Sequence, residues 1–392
     1  MQGNLKKWQS RIVRNNIERY RFALENYYIK NKPLVKMRGG HKAFSLLSPP
    51  VGSVVARRRI RFIMNNIIDD NTKIKKNKII SWGRRTPHFT TIAVTYKCQC
   101  NCLHCSAQQY KEETESKQSA LGFQEIKSII DQAIEIGTTC IVFTGGEPLL
   151  YEKIYDLINT IDKSKAVCTI FTNGEYLNEK SASLLKEAGI FGVFVSLDFT
   201  DSDKHNKNRQ RKGIFEKAIR GIRVCQERNI LTGISTFITK EKLLSGELDA
   251  MMNLGKKLKV LEVFLFDIIA TGRLRHRPDC MLSKADIDKV RKFRGKYNSD
   301  PDYPRIIHQT MFTSIAYPCV SEGCPAGVAQ IHIRGNGDVS PCDFTPLSFG
   351  NIRQKSLREL WQNIIGNEIY SKPSQCCRLS DSEFCVRLDM ED

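Results

Sequence analysis

From Thr90 to Tyr297, short β-rich runs alternate with amphipathic helical patterns, and this alternation constrains the fold more than any other feature of the sequence. Because parallel strands need a crossover connection, six such β/α units predict a parallel sheet with helical crossovers. In barrels of this kind, functional groups gather where the strands end. The six runs are residues 91–95, 140–144, 168–172, 191–197, 233–239 and 260–266.

The net charge of +19 is concentrated before this alternation begins. Residues 1–88 contain 21 Lys or Arg and four acids, whereas the other 304 residues contain 40 and 38. Residues 1–88 are therefore predicted to be a basic, mostly helical segment that meets an anionic surface. Aromatic residues among its basic ones, such as Trp8 and Tyr20, favour a membrane surface over nucleic acid. A helical lid packed on the barrel is the alternative.

The sequence also predicts a compartment. No run of eighteen apolar residues occurs, and the first residues lack the apolar core of a secretory signal. We therefore expect a cytoplasmic protein that can lie peripherally at the inner membrane face. Cytoplasmic thiols stay reduced, so fourteen cysteines indicate metal binding rather than disulfides. Cys140, Cys168 and Cys225 stand singly in apolar segments and are expected in the core.

The first β-rich run leads into the sequence CQCNCLHC. Within it, Cys98, Cys102 and Cys105 have the spacing C-x3-C-x2-C. Three closely spaced thiolates can hold three irons of a [4Fe–4S] cluster and leave the fourth iron open. Because Cys100 supplies a fourth thiol, a zinc site is the alternative.

Three later runs also end in residues suited to binding a ligand. The second ends in Gly145-Gly146-Glu147-Pro148, the third in Thr172-Asn173-Gly174 and the fourth in Ser196-Leu197-Asp198. A basic loop with His205 and Arg209 follows the fourth. Each motif alone is compatible with an ordinary turn. Their order at successive strand ends indicates one shared site.

Over residues 89–275, these motifs resemble those of the radical S-adenosylmethionine (radical SAM) superfamily. The resemblance implies an α/β fold with a partial (β/α)6 barrel, here residues 89–300. It implies that Cys98, Cys102 and Cys105 hold the cluster and that its open iron chelates the amino and carboxylate groups of SAM. No catalytic residue is predicted, and His205 is expected to be structural. The implied SAM contacts are His104 near the adenine, Gly145, Gly146 and Glu147 at the methionine amino group, Ser196 at the ribose or carboxylate, and Arg209 at the carboxylate.

The C-terminal residues resemble the SPASM/twitch extension of that superfamily. Cys324, Gly337 and Cys342 have the spacing C-x12-G-x4-C, and Gly350-Asn351-Ile352 and a short helical pattern follow. Residues 301–392 are therefore predicted to form a domain with one auxiliary [4Fe–4S] cluster, because no cysteine lies between positions 342 and 376. A zinc-stapled hairpin is the alternative. The predicted ligands are Cys324, Cys342, Cys376 and Cys385, with Cys377 or Cys319 as substitutes.

The resemblance also implies a function. The enzyme would cleave SAM reductively to a 5′-deoxyadenosyl radical and abstract hydrogen from a peptide, a lipid or another metabolite. A flavodoxin- or ferredoxin-type protein would donate the electron, and the auxiliary cluster would assist substrate oxidation or binding. The competing hypothesis is a zinc-stabilised module that binds nucleic acid through residues 1–88 without SAM chemistry. It leaves the series of strand-end motifs unexplained.

Overall fold

The computed structural model describes residues 32, 34–37, 40–68, 73–75, 78–81, 85–111, 120–311 and 323–380. Two short hairpins precede the main sheet. The strands are β1 (Val35–Lys36), β2 (Lys42–Ala43), β3 (Lys73–Lys75), β4 (Lys78–Ser81), β5 (Phe89–Thr95), β6 (Cys140–Gly145), β7 (Val167–Thr172), β8 (Gly192–Ser196), β9 (Leu231–Ile238), β10 (Glu262–Asp267), β11 (Arg305–His308), β12 (Gln330–Ile333) and β13 (Val339–Ser340).

Helices connect the strands as the alternation predicts. In the second helix, Ile126, Ile129, Ile130 and Ala133 recur at helical spacing and are buried against the sheet. The described helices are α1 (Val54–Ile68), α2 (Phe123–Glu135), α3 (Ile154–Thr160), α4 (Glu179–Glu187), α5 (Ser202–Arg209), α6 (Ile214–Glu227), α7 (Lys240–Leu244), α8 (Glu247–Lys257), α9 (Lys284–Ser299) and α10 (Leu357–Gly366).

Nine strands form one sheet in the order β11-β10-β9-β8-β7-β6-β5-β12-β13. Strands β5 to β10 are the six predicted strands, and each is parallel to its neighbours. The α/β fold class with a parallel sheet is therefore confirmed. All the loops that follow these strands meet at one end of the sheet, as parallel pairing requires.

The sheet extends further at both edges than the sequence indicated. Strand β11 adds a parallel strand beyond β10, although its four residues follow Pro304 and give little β signal. At the other edge, β12 pairs in parallel with β5, so the predicted C-terminal hairpin continues the barrel sheet. The domain boundaries at residues 88 and 300 stay predictions.

A strap of residues 42–53 closes the amino-terminal end of the barrel. The Leu46 amide donates to Glu262 Oε1 at 2.7 Å, and the Leu46 carbonyl accepts from Thr169 Oγ1 at 2.7 Å. Phe44, Leu46 and Leu47 are buried among the side chains inside the barrel. A Cβ at Gly192 would lie 2.6 Å from Leu46 Cγ, so the glycine makes room for the strap.

Helix α1 covers the strap. Part of the basic segment therefore serves to stabilise the fold. Arg59 is 1% exposed, and it donates to Thr139 Oγ1 at 2.7 Å and to Ser48 Oγ at 3.0 Å. Arg58 donates to the Thr138 carbonyl at 2.9 Å. These contacts are those of a helix packed on the barrel. The predicted helix of residues 5–31 lies outside the described residues, among which no helix has the length and hydropathy to cross a bilayer.

Burial of Glu262 makes the strap a pH-dependent contact. Burial raises the pKa of Glu262 from 4.5 to about 7. The folded state binds this proton more tightly than the unfolded state. The contribution of Glu262 to the free energy of unfolding is therefore complete below pH 4.5 and falls as the pH rises towards 7.

We predict that Glu262→Gln removes this dependence, since the amide cannot ionise. The wild type should lose up to about 3 kcal/mol of unfolding free energy across this interval relative to the variant. Thermal unfolding at a series of pH values measures the difference, with the exposed Glu152→Gln as the control. Parallel curves for the wild type and Glu262→Gln would contradict the prediction.

Candidate active site

A cavity of about 290 Å³ lies at the carboxyl ends of the barrel strands. The thiols of Cys98, Cys102 and Cys105 line one part of it, with Gly145, Gly146 and Ser196 beside them. The C-terminal thiols of Cys324, Cys342 and Cys377 line another part. One cavity therefore brings together the two cysteine groups that the sequence separates by more than two hundred residues.

The N-terminal cysteines form a compact set in which Cys100 is the donor. The single S–H proton of Cys100 lies within hydrogen-bonding reach of both neighbours, which lowers the pKa of Cys98 and lowers that of Cys102 to about 7. The same interaction raises the pKa of Cys100 far above its usual range. Burial raises the pKa of Cys105. Two thiols that ionise readily, with a third beside them, fit a site that binds iron through thiolates.

Two other segments, residues 208–209 and 272–273, fix the loop that carries these cysteines. The Asn101 and Leu103 amides donate to the carbonyls of Arg209 and Asn208 at 3.1 and 3.0 Å. The Arg273 amide donates to the Cys105 carbonyl at 3.1 Å. A Cβ at Gly272 would lie 2.3 Å from that carbonyl oxygen, so only glycine permits this approach.

The glycines after β6 let two loops approach closely. A Cβ at Gly145 would lie 2.2 Å from the Thr95 carbonyl oxygen, and one at Gly146 would lie 2.4 Å from that of Lys97. Both glycines line the cavity. Backbone groups can therefore reach a ligand here without a side chain in the way.

Glu147 connects two strand ends from behind the cavity wall. Its fully buried carboxylate accepts from Thr172 Oγ1 at 2.7 Å and from the Asn173 amide at 2.8 Å. Burial raises its pKa. Glu147 is thus placed where it orders the third strand end, while its predicted contact with the methionine amino group stays a prediction.

Arg209 forms a buried ion pair that the sequence did not predict. Its Nε and one terminal nitrogen bind the two carboxylate oxygens of Asp198 at 2.8 and 2.9 Å. Burial alone would raise the pKa of Asp198, but the charge of Arg209 holds it well below its usual range. Asp198 lies at the end of the fourth predicted strand run, and this position is the sequence signal that could have identified it as a site residue. The predicted role of Arg209 at the SAM carboxylate must accommodate this pair.

His104 lies on the same network. Its Nδ1 is 3.1 Å from Asn208 Nδ2, which also donates to Asp198 at 2.9 Å. Burial lowers the pKa of His104 to about 4, so the ring is neutral near pH 7. Its ring centroid is 4.2 Å from that of Phe237, at an angle of 37° between the ring planes, and both rings line the cavity. His205 is fully buried and accepts from the Asp198 amide at 3.0 Å.

The C-terminal cysteines differ in where they point. Cys377 lines the cavity with Cys324 and Cys342, and burial and these two neighbours raise its pKa. Cys376 is exposed, with its sulfur 3.9 Å from Ser374 Oγ. Of the two adjacent cysteines, Cys377 lines the cavity, while ligation by Cys376 stays a prediction. Cys319 and Cys385 lie outside the described residues.

The two cysteine groups line the cavity wall rather than meet at one point. Among the described residues, no three His, Cys, Asp or Glu side chains are arranged to hold a single metal ion. Cys324 is buried and the other five thiols are partly buried, and thiolates are the ligands that iron–sulfur clusters use.

Two acidic side chains line the cavity and were missed from the sequence. Asp267 ends β10, and its Oδ1 is 2.6 Å from His308 Nε2. Asp343 follows Cys342, and its Oδ1 accepts from Thr91 Oγ1 at 2.5 Å. The position of Asp267 at a strand end is the sequence signal that could have identified it. Both carboxylates are held in place where a substrate would lie.

Two family models match the chain in this order. The radical SAM superfamily model matches residues 92–243, and the iron–sulfur cluster-binding SPASM domain model matches residues 324–378.

Curated relatives cover most of the chain. A GTP 3′,8-cyclase of Clostridium perfringens is 31% identical over 313 residues, which are 75% of this chain and 93% of the relative. An AdoMet-dependent heme synthase of Methanosarcina barkeri is 26% identical over 71% of this chain and 82% of the relative. The subtilosin biosynthesis protein AlbA of Bacillus subtilis is 22% identical over 77% and 64%.

Solved structures share the fold. Streptococcus suis SuiB, bound to the precursor peptide SuiA, has a TM-score of 0.58 and 18% identity over 78% of this chain and 68% of SuiB. The enzyme anSMEcpe, with AdoMet and a peptide bound, has a TM-score of 0.56 and 18% identity over 77% and 94%. With these folds, the ordered family models and a relative above 30% identity matched over nearly its whole length, this chain belongs to the radical SAM superfamily, with a SPASM-type C-terminal extension.

Proposed function

We propose that this radical SAM enzyme oxidises a residue of a peptide, whose side chain enters the cavity between the two cysteine groups. The proposal rests on the single cavity that both cysteine groups line. A substrate there lies beside the SAM site and beside Cys324, Cys342 and Cys377. When bound, SAM and the two clusters supply a radical that removes a hydrogen atom and an acceptor for the second electron.

The protein's own residues supply the remaining requirements. Oxidation of a C–H bond by two electrons also releases a proton. The carboxylates of Asp267 and Asp343, held by His308 and Thr91, are the acceptors available in the wall. The phenyl rings of Phe237, Phe266 and Phe344 also line the cavity and limit access of water to it.

The charge of the cavity lining favours a peptide side chain over a tetrapyrrole. A haem-type macrocycle bearing carboxylates needs cationic partners. Among the described lining residues, the cations are Lys111 and Arg209, and Arg209 is bound to Asp198. The heme synthase relatives make the tetrapyrrole the second candidate.

The similar proteins support the peptide class. SuiB and anSMEcpe have been solved with peptides bound, and AlbA acts in bacteriocin biosynthesis by its name. A reduced flavodoxin or ferredoxin is the proposed electron donor. Any attachment to an anionic membrane is proposed to begin with residues 1–31, which carry seven Lys or Arg and two acids, because Arg58 and Arg59 are occupied at the barrel.

The substrate class is tested by hydrogen transfer. Anaerobic enzyme, SAM and reductant should transfer deuterium from a perdeuterated candidate peptide into 5′-deoxyadenosine, which mass spectrometry detects. A synthetic library drawn from small open reading frames beside the gene supplies the candidates, and deuterated coproporphyrin is the control. Transfer from the porphyrin and from no peptide would overturn the peptide proposal.

We predict that Cys98→Ala, Cys102→Ala and Cys105→Ala each abolish 5′-deoxyadenosine formation, because each removes a cluster thiolate. Cys100→Ala should retain most of it, since Cys100 is not one of the three cysteines of the C-x3-C-x2-C pattern. Iron content and product formation are measured on anaerobically reconstituted protein. A dead Cys100→Ala variant, or an active Cys102→Ala variant, would contradict this assignment.

The adjacent cysteines 376 and 377 provide a matched pair for the auxiliary site. We predict that Cys377→Ala reduces bound iron from about eight to about four atoms. It should also uncouple SAM cleavage from substrate oxidation, while Cys376→Ala should leave both unchanged because its thiol is exposed. Iron loss in Cys376→Ala and not in Cys377→Ala would show that Cys376 is the ligand.

A further inference from the structure

A second concave surface lies at the amino-terminal end of the barrel, opposite the active site. This groove, of about 1140 Å³, runs between the strap with its flanking residues and the loops that lead into β7 to β11. Its floor includes Ile190 and Val260, and Val35 and Val54 at its edge are 36% and 53% exposed. These two are among the few large apolar side chains that the described part of the chain exposes.

The groove concentrates positive charge on an otherwise neutral body. Asp302 is the one acidic residue that lines it among the described residues. The lysines that line it are all exposed: Lys36, Lys163, Lys186, Lys256 and Lys259.

Three of these lysines are bound to acceptors of the protein itself. Lys186 Nζ donates to the Asn229 carbonyl at 2.8 Å, Lys256 Nζ binds Asp302 at 3.1 Å, and Lys163 Nζ donates to the Ile161 carbonyl at 2.9 Å. For Lys36 and Lys259, the described residues provide no hydrogen bond or ion pair to the ammonium group. Two ammonium groups are thus available to an anion at the edge of an apolar floor.

Lys259 is in a backbone conformation that favours glycine. It follows α8 with φ +54°, in the left-handed region. Glycine occupies the equivalent position after α2 and after α4, at Gly137 and Gly189. A lysine here costs backbone strain that glycine would avoid. Strain kept at a position whose side chain lines a groove points to a use for that side chain.

We infer that this groove binds an anionic phospholipid at a membrane surface, with its phosphate among the lysines and its acyl chain on the apolar floor. The combination of ammonium groups around exposed aliphatic side chains matches the two halves of such a molecule. Lys32 Nζ donates at 2.9 Å to the carbonyl of Tyr303, which lines the groove, so another lysine side chain lies at the groove edge.

The inference extends the proposed membrane attachment to a site in the folded body and does not depend on the peptide reaction. The test uses full-length reconstituted protein and flotation with phosphatidylcholine vesicles, with and without phosphatidylglycerol. The protein should float only with the anionic lipid. Because each lysine near an anionic surface contributes about a fivefold change in binding, Lys36→Gln/Lys259→Gly should weaken partitioning about 25-fold.

The control removes two exposed lysines elsewhere, Lys180→Gln and Lys292→Gln. Lys180 lies on the same helix, α4, as Lys186, but about 9 Å closer to its amino end. This control should change partitioning little. Lys259→Gly should fold at least as well as the wild type, because glycine relieves the left-handed conformation. Formation of 5′-deoxyadenosine should be equal in all variants, which separates this test from that of the catalytic proposal.

Three results would overturn the inference. The first is equal loss of flotation in the groove variant and the control, and the second is no flotation of the wild type. The third is unchanged flotation of the groove variant together with complete loss when Lys6, Lys7, Arg11 and Arg14 are changed to Gln. If the protein ignores vesicles but binds polyglutamate through Lys36 and Lys259, the groove instead receives an acidic protein.

Discussion

The active site depends on a backbone ladder that continues past the ends of β5 and β6. The Gly146 amide donates to the Thr95 carbonyl at 2.7 Å, and the Glu147 amide donates to that of Lys97 at 2.9 Å. This ladder sets the position from which Cys98 starts the cluster loop. It requires glycine at positions 145 and 146, because a Cβ at either would overlap a carbonyl oxygen. The carboxylate of Glu147 then accepts a hydrogen bond from the Asn173 amide, which fixes the end of β7 relative to the end of β6.

The two ends of the barrel have different chemistry. At the carboxyl ends of the strands, thiols, carboxylates and aromatic rings surround a small cavity. At the amino ends, the strap and α1 fill the interior and bury Arg59 and Glu262. Part of the basic N-terminal segment is therefore structural, and a charge count alone could not separate that part from residues left for binding. Closure of one end leaves the other as the route to the described cavity.

The sequence predicted what local patterns encode. Six strands, their crossovers and the ligand-type residues at their ends follow from periodicity and from turn chemistry. It could not predict contacts between distant segments. Strands β11 and β12 have four residues each and are held by pairing with β10 and β5. Similarly, the adjacent cysteines at 376 and 377 are equivalent in sequence, and only the packing around them distinguishes the thiol that lines the cavity from the exposed one.

We infer that one cavity serves both iron–sulfur sites of this SAM-cleaving enzyme. An anaerobic crystal structure of the reconstituted protein with SAM, using anomalous scattering at the iron edge, would locate both sites. We expect two iron sites on opposite sides of the cavity, one at Cys98, Cys102 and Cys105 and one at Cys324, Cys342 and Cys377, with SAM between them. A zinc signal at either group, or an auxiliary iron site that faces away from SAM, would show that the cavity does not serve two iron–sulfur sites.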